Sequence, residues 1–307
     1  MPRPAAKPPK RRPELAPQPE SVDPMWLVKA ISATIGVAIL CGYLALCLLF
    51  YQGQWQLVLH PTRTSSAPAS IDGAPYQLLH FGPGDAAIPQ LVGWWIPAAA
   101  PARYANATLL FLPSGDGSLA NSIPTLAALH NLGINLFAFD YRGYGQSASA
   151  HPNQQKMSQD AESAWTYLTA SRHISANQII PYGTGVGASL AASLASSHPA
   201  IPAIILDSPH TDLLDTARRD PRSSLLPTSL LFHENFPLAT PLETLHTPKL
   251  LLSKSGQPPA AYRTAADPKI AVEFTTPTEA LYTQAITRFF AQYVPATQPV
   301  PTPTPAH

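Results

Sequence analysis

Short apolar runs alternate with helical segments through most of this chain, and that alternation constrains its fold more than any other feature. The apolar runs are Tyr76–Phe81, Gln90–Ile96, Ala107–Leu112, Ile134–Phe139, Gln178–Tyr182, Ala203–Asp207, Lys249–Ser253 and Ile270–Phe274. Several are continuous rather than alternating, which is typical of strands buried on both faces. Strands separated by helices predict an α/β fold, with a mostly parallel sheet of about eight strands covered by helices on both faces.

Helical patterns fill the gaps between these runs, near 122–131, near 156–171 and, with small residues, up to His198. The last helix has the clearest start, because Thr-Pro-Thr-Glu at 276–279 supplies a threonine cap, a proline at the first helical position and a capping box. Its predicted buried residues are Leu281, Ala285, Ile286 and Phe289, and it ends near Tyr293. The segment Leu225–Leu245 interrupts the alternation and is predicted to be a lid-like excursion between strands.

The segment Ala30–Phe50 carries no charge and is strongly apolar. At about 1.5 Å per residue, roughly 21 residues cross a hydrocarbon core of about 30 Å, so residues 26–51 are predicted to form one transmembrane helix. Six basic residues precede the segment and only Arg63 soon follows it. This bias predicts a bacterial inner-membrane protein with a cytoplasmic N-terminus and a periplasmic or otherwise extracytoplasmic domain. A cleaved signal peptide is the alternative, but the apolar run is long for one and no good cleavage site follows.

Differences in composition divide the rest of the chain into two proline-rich ends, a linker and a globular domain. Many of the 36 prolines lie in a basic N-terminus, 1–25, and in a tail, 294–307, and both segments are predicted to be disordered. Residues 52–75 are predicted to be a linker, and 76–293 the α/β domain. The net charge of +1 gives no indication of nucleic-acid binding. Cys41 and Cys47 both lie in the apolar segment, so no disulfide is expected in the exported domain.

Two turn motifs follow buried strands at a characteristic spacing. The first is Asp-Tyr-Arg-Gly-Tyr-Gly-Gln-Ser at 140–147, and the second is Gly-Thr-Gly-Val-Gly at 183–187. With Asp160 on the helix between them and Asp-Ser-Pro at 207–209 after the next strand, the order resembles the α/β-hydrolase superfamily. The resemblance is strongest to its membrane-anchored bacterial lipase- and peptidase-like branch. It covers about residues 76–293 and implies an α/β-hydrolase-like fold.

The resemblance also implies three catalytic positions, and none of them holds the expected residue. The family places a nucleophilic serine at the centre of G-x-S-x-G, an acid after the penultimate strand and a histidine after the last strand. Here the serine position is Gly185, 255–257 holds no carboxylate and 276–279 holds no histidine. Glycine relieves the strain that this turn imposes on other residues. The sequence therefore predicts a pseudo-hydrolase with no catalytic residues.

A ligand cleft is expected where the loops after the strands meet. Its predicted lining is Pro113, Ser114, Gly115, Asp116, Gly117, Thr184, Gly185 and Val186. Residues 113–117 occupy the position of the family's oxyanion loop, where an inward-pointing Asp116 would repel a developing negative charge. The predicted function is binding of an unidentified ligand or protein partner, in addition to the membrane.

Two alternatives stay open. An active membrane-bound hydrolase of esters, lipids or peptides would need a relocated site, built from Ser114 or Ser208 with His210 and Asp207 nearby. A dinucleotide-binding fingerprint is the second alternative, since Gly183-x-Gly185-x-x-Ala188 precedes an acid by about 20 residues. Two strand–helix units come before it, however, whereas such a fingerprint opens its domain. The other histidines lack metal-ligand spacing, so neither a metal nor an organic cofactor is expected.

Overall fold

The computed structural model describes residues 23–64, 66–82, 88–99, 102–210, 213–253, 258–274 and 279–295. The chain forms two compact units, Met1–Leu49 and Phe50–His307. From residue 24 onwards the first unit is helical and belongs to α1, Pro24–Gly53. This helix is long and apolar enough to cross a membrane.

The second unit combines short strands and helices. The described strands are β1 His60–Pro61, β2 Gln77–Phe81, β3 Leu91–Ile96, β4 Tyr104–Leu112, β5 Asp116–Gly117, β6 Ile134–Asp140, β7 Ile179–Thr184, β8 Ile204–Asp207, β9 Lys249–Ser253 and β10 Lys269–Glu273. The described helices are α2 Ile123–His130, α3 Gln154–Thr166, α4 Val186–Ser197, α5 Leu213–Arg219, α6 Thr228–Leu231, α7 Ala239–Thr244, α8 Ala260–Thr264 and α9 Glu279–Tyr293.

Eight of these strands form one sheet in the order β10-β9-β8-β7-β4-β6-β3-β2. The β2–β3 and β3–β6 pairs are antiparallel, and the other pairs in the sheet are parallel. The predicted sheet of about eight mostly parallel strands is therefore confirmed. Because β6 and β7 flank β4 on opposite sides, the strand order reverses at β4, and a crevice opens there at the carboxyl edge.

Apolar cores lie on both faces of the sheet. Along β4, Leu110 and Leu112 join the cluster that includes α3, α4 and α7, whereas Leu109 and Phe111 join the cluster that includes α2 and α9. This alternation within one continuous apolar run is what a strand covered on both sides requires. The prediction of helices on both faces is confirmed.

The predicted linker at 52–75 is wrong, because much of this segment packs into the second unit. Leu59 and Ile71 are buried. The buried Gln54 side chain donates from Nε2 to the Leu231 carbonyl at 3.1 Å and accepts the His233 backbone N–H at 2.7 Å. Sparse apolar residues among prolines and serines give no periodicity, so the sequence pattern did not reveal this packing.

The predicted buried face of the last helix is wrong at Leu281, which is 51% exposed, whereas Ile286, Phe289 and Phe290 are fully buried. At about 100° per residue, Leu281 lies roughly 80° around the helix from Phe289, which takes it off the buried stripe. The capping residues 276–278 lie outside the described residues. So do the acid position 255–257, residue 212 and most of the two predicted disordered ends, 1–22 and 296–307.

The Asp140 loop has a structural role. Arg142 donates from Nε to Asp160 Oδ1 at 2.6 Å and from its backbone N–H to Oδ2 at 2.9 Å, which ties the loop after β6 to α3. Asp140 is itself 5% exposed and accepts the Leu119 N–H at 2.7 Å. Burial raises the pKa of Asp140 to about 6, against the opposing effect of two backbone N–H donors and Arg63.

We predict that Asp140 makes wild-type stability pH-dependent. A carboxyl whose folded pKa lies above its unfolded value of 3.8 contributes most stability below that value and loses it as pH rises through about 6. The difference in free energy of unfolding between wild type and Asp140→Asn should therefore shift against wild type by roughly 2 kcal/mol between pH 4 and pH 7. Denaturant titrations at the two pH values measure it, and a pH-independent difference would contradict the shift.

Candidate functional site

Three loops meet at the carboxyl edge of the sheet, where the strand order reverses. Residues 113–117 follow β4, 184–186 follow β7 and 207–210 follow β8, and these three strands are neighbours. The predicted cleft and relocated-site residues on these loops therefore lie at one edge. In open α/β sheets this is the position where ligands bind.

Gly185 lies at the centre of a strained turn between β7 and α4. Its φ is 57° and its ψ is −123°, a conformation that favours glycine. A Cβ atom at this position would lie 2.7 Å from Ser114 Cβ and 2.9 Å from the Ser114 carbonyl oxygen. Both the backbone conformation and the lack of space therefore exclude an unstrained side chain here.

The first N–H of α4 is already hydrogen-bonded within the protein. Val186 N–H donates to the Ser114 carbonyl oxygen at 3.2 Å, and Gly185 N–H donates to the Asp207 carbonyl oxygen at 3.2 Å. In hydrolases with this turn, the N–H after the nucleophile stabilises the oxyanion. The Ser114 carbonyl thus occupies the place that a substrate oxygen would need.

Strand β1, from the segment predicted to be a linker, holds the loop that follows β4. His60 N–H donates to the Gly115 carbonyl oxygen at 3.0 Å, and Thr62 N–H donates to the Gly117 carbonyl oxygen at 2.9 Å. The Tyr144 hydroxyl also donates to the Gly115 carbonyl oxygen, at 2.9 Å. Sequence analysis missed this support, because backbone pairing with a two-residue strand leaves no motif.

The carboxylate of Asp116 contacts two histidines. Its Oδ1 lies 2.8 Å from His60 Nδ1 and its Oδ2 lies 3.5 Å from His210 Nε2. His60 and Asp116 are exposed, so their ion pair contributes little in water. Within the described part of the chain, no group of three or more His, Cys, Asp or Glu side chains has an arrangement that could hold a metal ion.

Asp207 is the buried acid of this edge, and hydroxyl groups surround its carboxylate. Oδ2 accepts from Tyr182 OH at 2.7 Å and from Tyr282 OH at 3.2 Å, and Oδ1 accepts from Ser208 Oγ at 2.8 Å. The two tyrosine hydroxyls also contact each other. A buried carboxylate needs such donors, but no sequence pattern indicates that Tyr282, on the last helix, supplies one.

The serines of the relocated-site alternative are engaged elsewhere. Ser114 Oγ accepts the Asp116 N–H at 3.3 Å, and Ser208 Oγ donates to Asp207. Among the hydrogen bonds of the described residues, none joins Ser114 or Ser208 to His210. A serine nucleophile needs a base within hydrogen-bond reach, and His210, the proposed base, is hydrogen-bonded to neither of these two described serines.

The dinucleotide alternative is contradicted by the packing at the start of α4. A Cβ on Gly187 would lie 2.6 Å from the Pro113 carbonyl oxygen, and one on Gly183 would lie 2.6 Å from Ala188 Cα. The glycines therefore allow protein backbone to pack closely, and the first N–H of the helix is used by Ser114. A pyrophosphate would need the space and the N–H groups that this packing occupies.

An open cavity of about 1060 Å³ is lined by residues outside these three loops. Its lining is Tyr51, Gln90, Arg142, Asn153, Gln154, Gln155, Ser158, Gln159, Glu162, Ser163, His233 and Glu234. None of the predicted cleft residues contributes to it. Several of its polar side chains have structural partners, such as Glu234, which accepts the first N–H of α3 at 2.6 Å.

We predict that Gly185→Ser destabilises the protein, by roughly 2–5 kcal/mol from backbone strain and overpacking together. Gly73→Ser is the matched control, because Gly73 also has a positive φ, of 82°, but nothing lies within 4 Å of a Cβ there. In the control, the free energy of unfolding should fall only by the cost of the left-handed backbone conformation, about 1–2 kcal/mol. Thermal or denaturant unfolding compares them, and an equal or smaller loss for Gly185→Ser would contradict the collision with Ser114.

Comparisons with known proteins agree with this architecture. The family model for "Serine aminopeptidase, S33" matches residues 106–300. An uncharacterized protein of Mycobacterium tuberculosis strain H37Rv is 28% identical over 164 residues, which are 53% of this chain and 56% of the relative. The alpha/beta hydrolase domain-containing protein WAV2 of Arabidopsis thaliana is 30% identical over 130 residues, 42% of this chain and 41% of the relative. The chain thus spans about half the length of these relatives.

Solved structures share the fold at low identity. The esterase Pf2001 of Pyrococcus furiosus has a TM-score of 0.60 at 18% identity, over 77% of this chain and 98% of that chain. An alpha-beta hydrolase from Vibrio vulnificus has a TM-score of 0.54 at 21% identity, over 73% of this chain and 80% of that chain. These likenesses concern the arrangement of strands and helices and do not extend to the chemistry at the carboxyl edge.

Proposed function

Because the chain belongs to the serine aminopeptidase S33 family of α/β-hydrolases, we propose that it is a membrane-anchored member that binds without cleaving. In this proposal the carboxyl-edge loops, 113–117, 184–186 and 207–210, hold a ligand or a protein partner. No residue of these loops acts as a nucleophile, and no cofactor or metal takes part. The membrane is the other partner, through residues 26–51.

The observation that carries the proposal is the hydrogen bond from Val186 N–H to the Ser114 carbonyl oxygen. Transition-state stabilisation requires donors that are free and aimed at the developing charge. Here the donor is used by the protein's own backbone, and Gly185 beside it offers no hydroxyl. Losing the serine of such a triad alone costs on the order of 10⁶ in turnover.

The remaining support comes from the sequence of the two other catalytic positions. Residues 255–257 hold no carboxylate, and 276–279 hold no histidine. Gly185→Ser would therefore restore a hydroxyl without a base to accept its proton. Three separate changes point in the same direction, which is why we favour binding over catalysis.

The anchor part of the proposal rests on the apolar helix and on the charges around it. The helix Pro24–Gly53 is long and apolar enough to cross a membrane. Basic residues precede it, among them Lys10, Arg11 and Arg12, which favours a cytoplasmic N-terminus. We place the domain on the periplasmic side of a bacterial inner membrane.

An active hydrolase with a relocated site is the alternative, and one observation favours it. His210 pairs with Asp116 at 3.5 Å, so a histidine with a carboxylate partner lies on the same loops as Ser114. A modest movement of the loop could bring a serine within reach of this histidine. The substrates would then be esters, lipids or peptides.

We predict that the full-length protein in detergent hydrolyses an activated ester no faster than buffer and is not labelled stoichiometrically by a fluorophosphonate probe. The physical reason is the missing nucleophile–base pair. Labelling that disappears in Ser114→Ala or Ser208→Ala but persists in Ser196→Ala, an exposed serine on α4, would establish the alternative instead.

Binding at the carboxyl edge predicts position-specific crosslinking. A photoreactive side chain at position 210, introduced as His210→benzoylphenylalanine in the native membrane, should give discrete adducts. The same side chain introduced as Gln284→benzoylphenylalanine, on the exposed face of α9, should not. Equal adduct patterns at both positions would count against a binding site at this edge.

A further inference from the structure

Two leucines stand out on the insertion between β8 and β9. Leu225 is 77% exposed and Leu230 is 82% exposed, the highest values for large apolar side chains among the described residues. Leu225 lies on the turn between a short helix, Pro221–Ser223, and α6, and Leu230 lies within α6. Pro227 between them is also exposed. Exposed apolar side chains that lie close together in the sequence on a protein surface indicate a contact with another protein or with a membrane.

The same insertion is hydrogen-bonded to Gln54, the residue directly after α1. The side chain of Gln54 is buried and donates to the carbonyl oxygen of Leu231, the residue next to Leu230, at 3.1 Å. Its Oε1 accepts the His233 N–H at 2.7 Å. The His233 ring packs on the Tyr51 ring with centroids 4.5 Å apart. Residues 51–54 and the insertion are thus parts of one packed region.

The position of Gln54 along the chain fixes its distance from the apolar segment. That segment ends at Phe50, and α1 continues to Gly53, so Gln54 follows by about 6 Å of helix rise. The polar interface of a bilayer adds roughly 5–7 Å outside each side of the hydrocarbon core. A bilayer that contains residues 26–51 therefore has its interface within a few residues of Gln54, the residue that is hydrogen-bonded to the insertion.

We propose that Leu225 and Leu230 insert into the interface of the same bilayer that the N-terminal helix spans. The inference rests on the anchor part of the proposed function. Of the nearby arginines, Arg218 pairs with Asp215 at 3.2 Å and Arg222 pairs with Asp220 at 2.8 Å. The contact is apolar, and a neutral phospholipid suffices for it.

The test uses the full-length protein reconstituted in phosphatidylcholine vesicles, with Cys41→Ala and Cys47→Ala as background. Single cysteines from Leu225→Cys, Leu230→Cys and Leu281→Cys carry the environment-sensitive fluorophore NBD. Leu281 is the matched control, an exposed leucine on α9, which packs on the opposite face of the sheet. A fourth protein keeps Cys47 as its only labelled position, and vesicles are prepared with and without lipids that carry a shallow nitroxide quencher.

We expect labels at 225 and 230 to emit at shorter wavelength and to be quenched several-fold more strongly than the label at 281. Equal quenching at 225, 230 and 281 overturns the inference. A wavelength shift without lipid quenching that grows with protein density also overturns it, since a second copy would then cover the leucines. Lipid-dependent quenching at Cys47 shows that the anchor holds in either case, whereas its absence removes the anchor proposal itself.

Discussion

The structure of the carboxyl edge depends on the close approach of two backbones, the end of β4 and the first turn of α4. Gly183 and Gly187 allow this approach, since a Cβ on Gly187 would lie 2.6 Å from the Pro113 carbonyl oxygen. At this distance the Val186 N–H reaches the Ser114 carbonyl oxygen. The helix is buried along most of its length by small side chains, so it cannot shift outward without losing core packing. One packing constraint thus positions the turn, closes the space beside Gly185 and satisfies the first helical donor.

Strand β1 holds the other side of the loop that follows β4. His60 N–H and Thr62 N–H hold the carbonyl groups of Gly115 and Gly117, so the loop that covers Gly185 is fixed from both sides. Gln54, at the other end of the same short segment, is bonded to the β8–β9 insertion. The segment 54–62, which follows the apolar helix, therefore contacts both the 113–117 loop and the β8–β9 insertion. The loop after β4 is thus secured as part of the scaffold.

Most of the fold could be predicted from the sequence, because the apolar runs are long and turn motifs separate them. Strand β7 was predicted at Gln178–Tyr182 and is observed at Ile179–Thr184, and the glycine conformation at its end follows from the turn motif. Other features could not be predicted. The Tyr282–Asp207 hydrogen bond joins residues 75 positions apart, and the His60–Asp116 contact joins residues 56 positions apart. Single polar residues in unrelated elements have no local pattern, and β1 is too short to show a period.

The surroundings of Asp207 show why the proposed loss of catalysis does not depend on Gly185 alone. A buried carboxylate must be compensated, and in the relocated-site alternative His210 would supply one of the donors. Here Tyr182, Tyr282 and Ser208 donate instead, so the acid is stable in the absence of any histidine. A serine at 185 would still meet the Ser114 backbone and an oxyanion donor already in use. Under this proposal, hydrolysis at position 185 would require a base, an acid and a displaced 113–117 loop together, and displacing that loop would break its hydrogen bonds to His60 and Thr62.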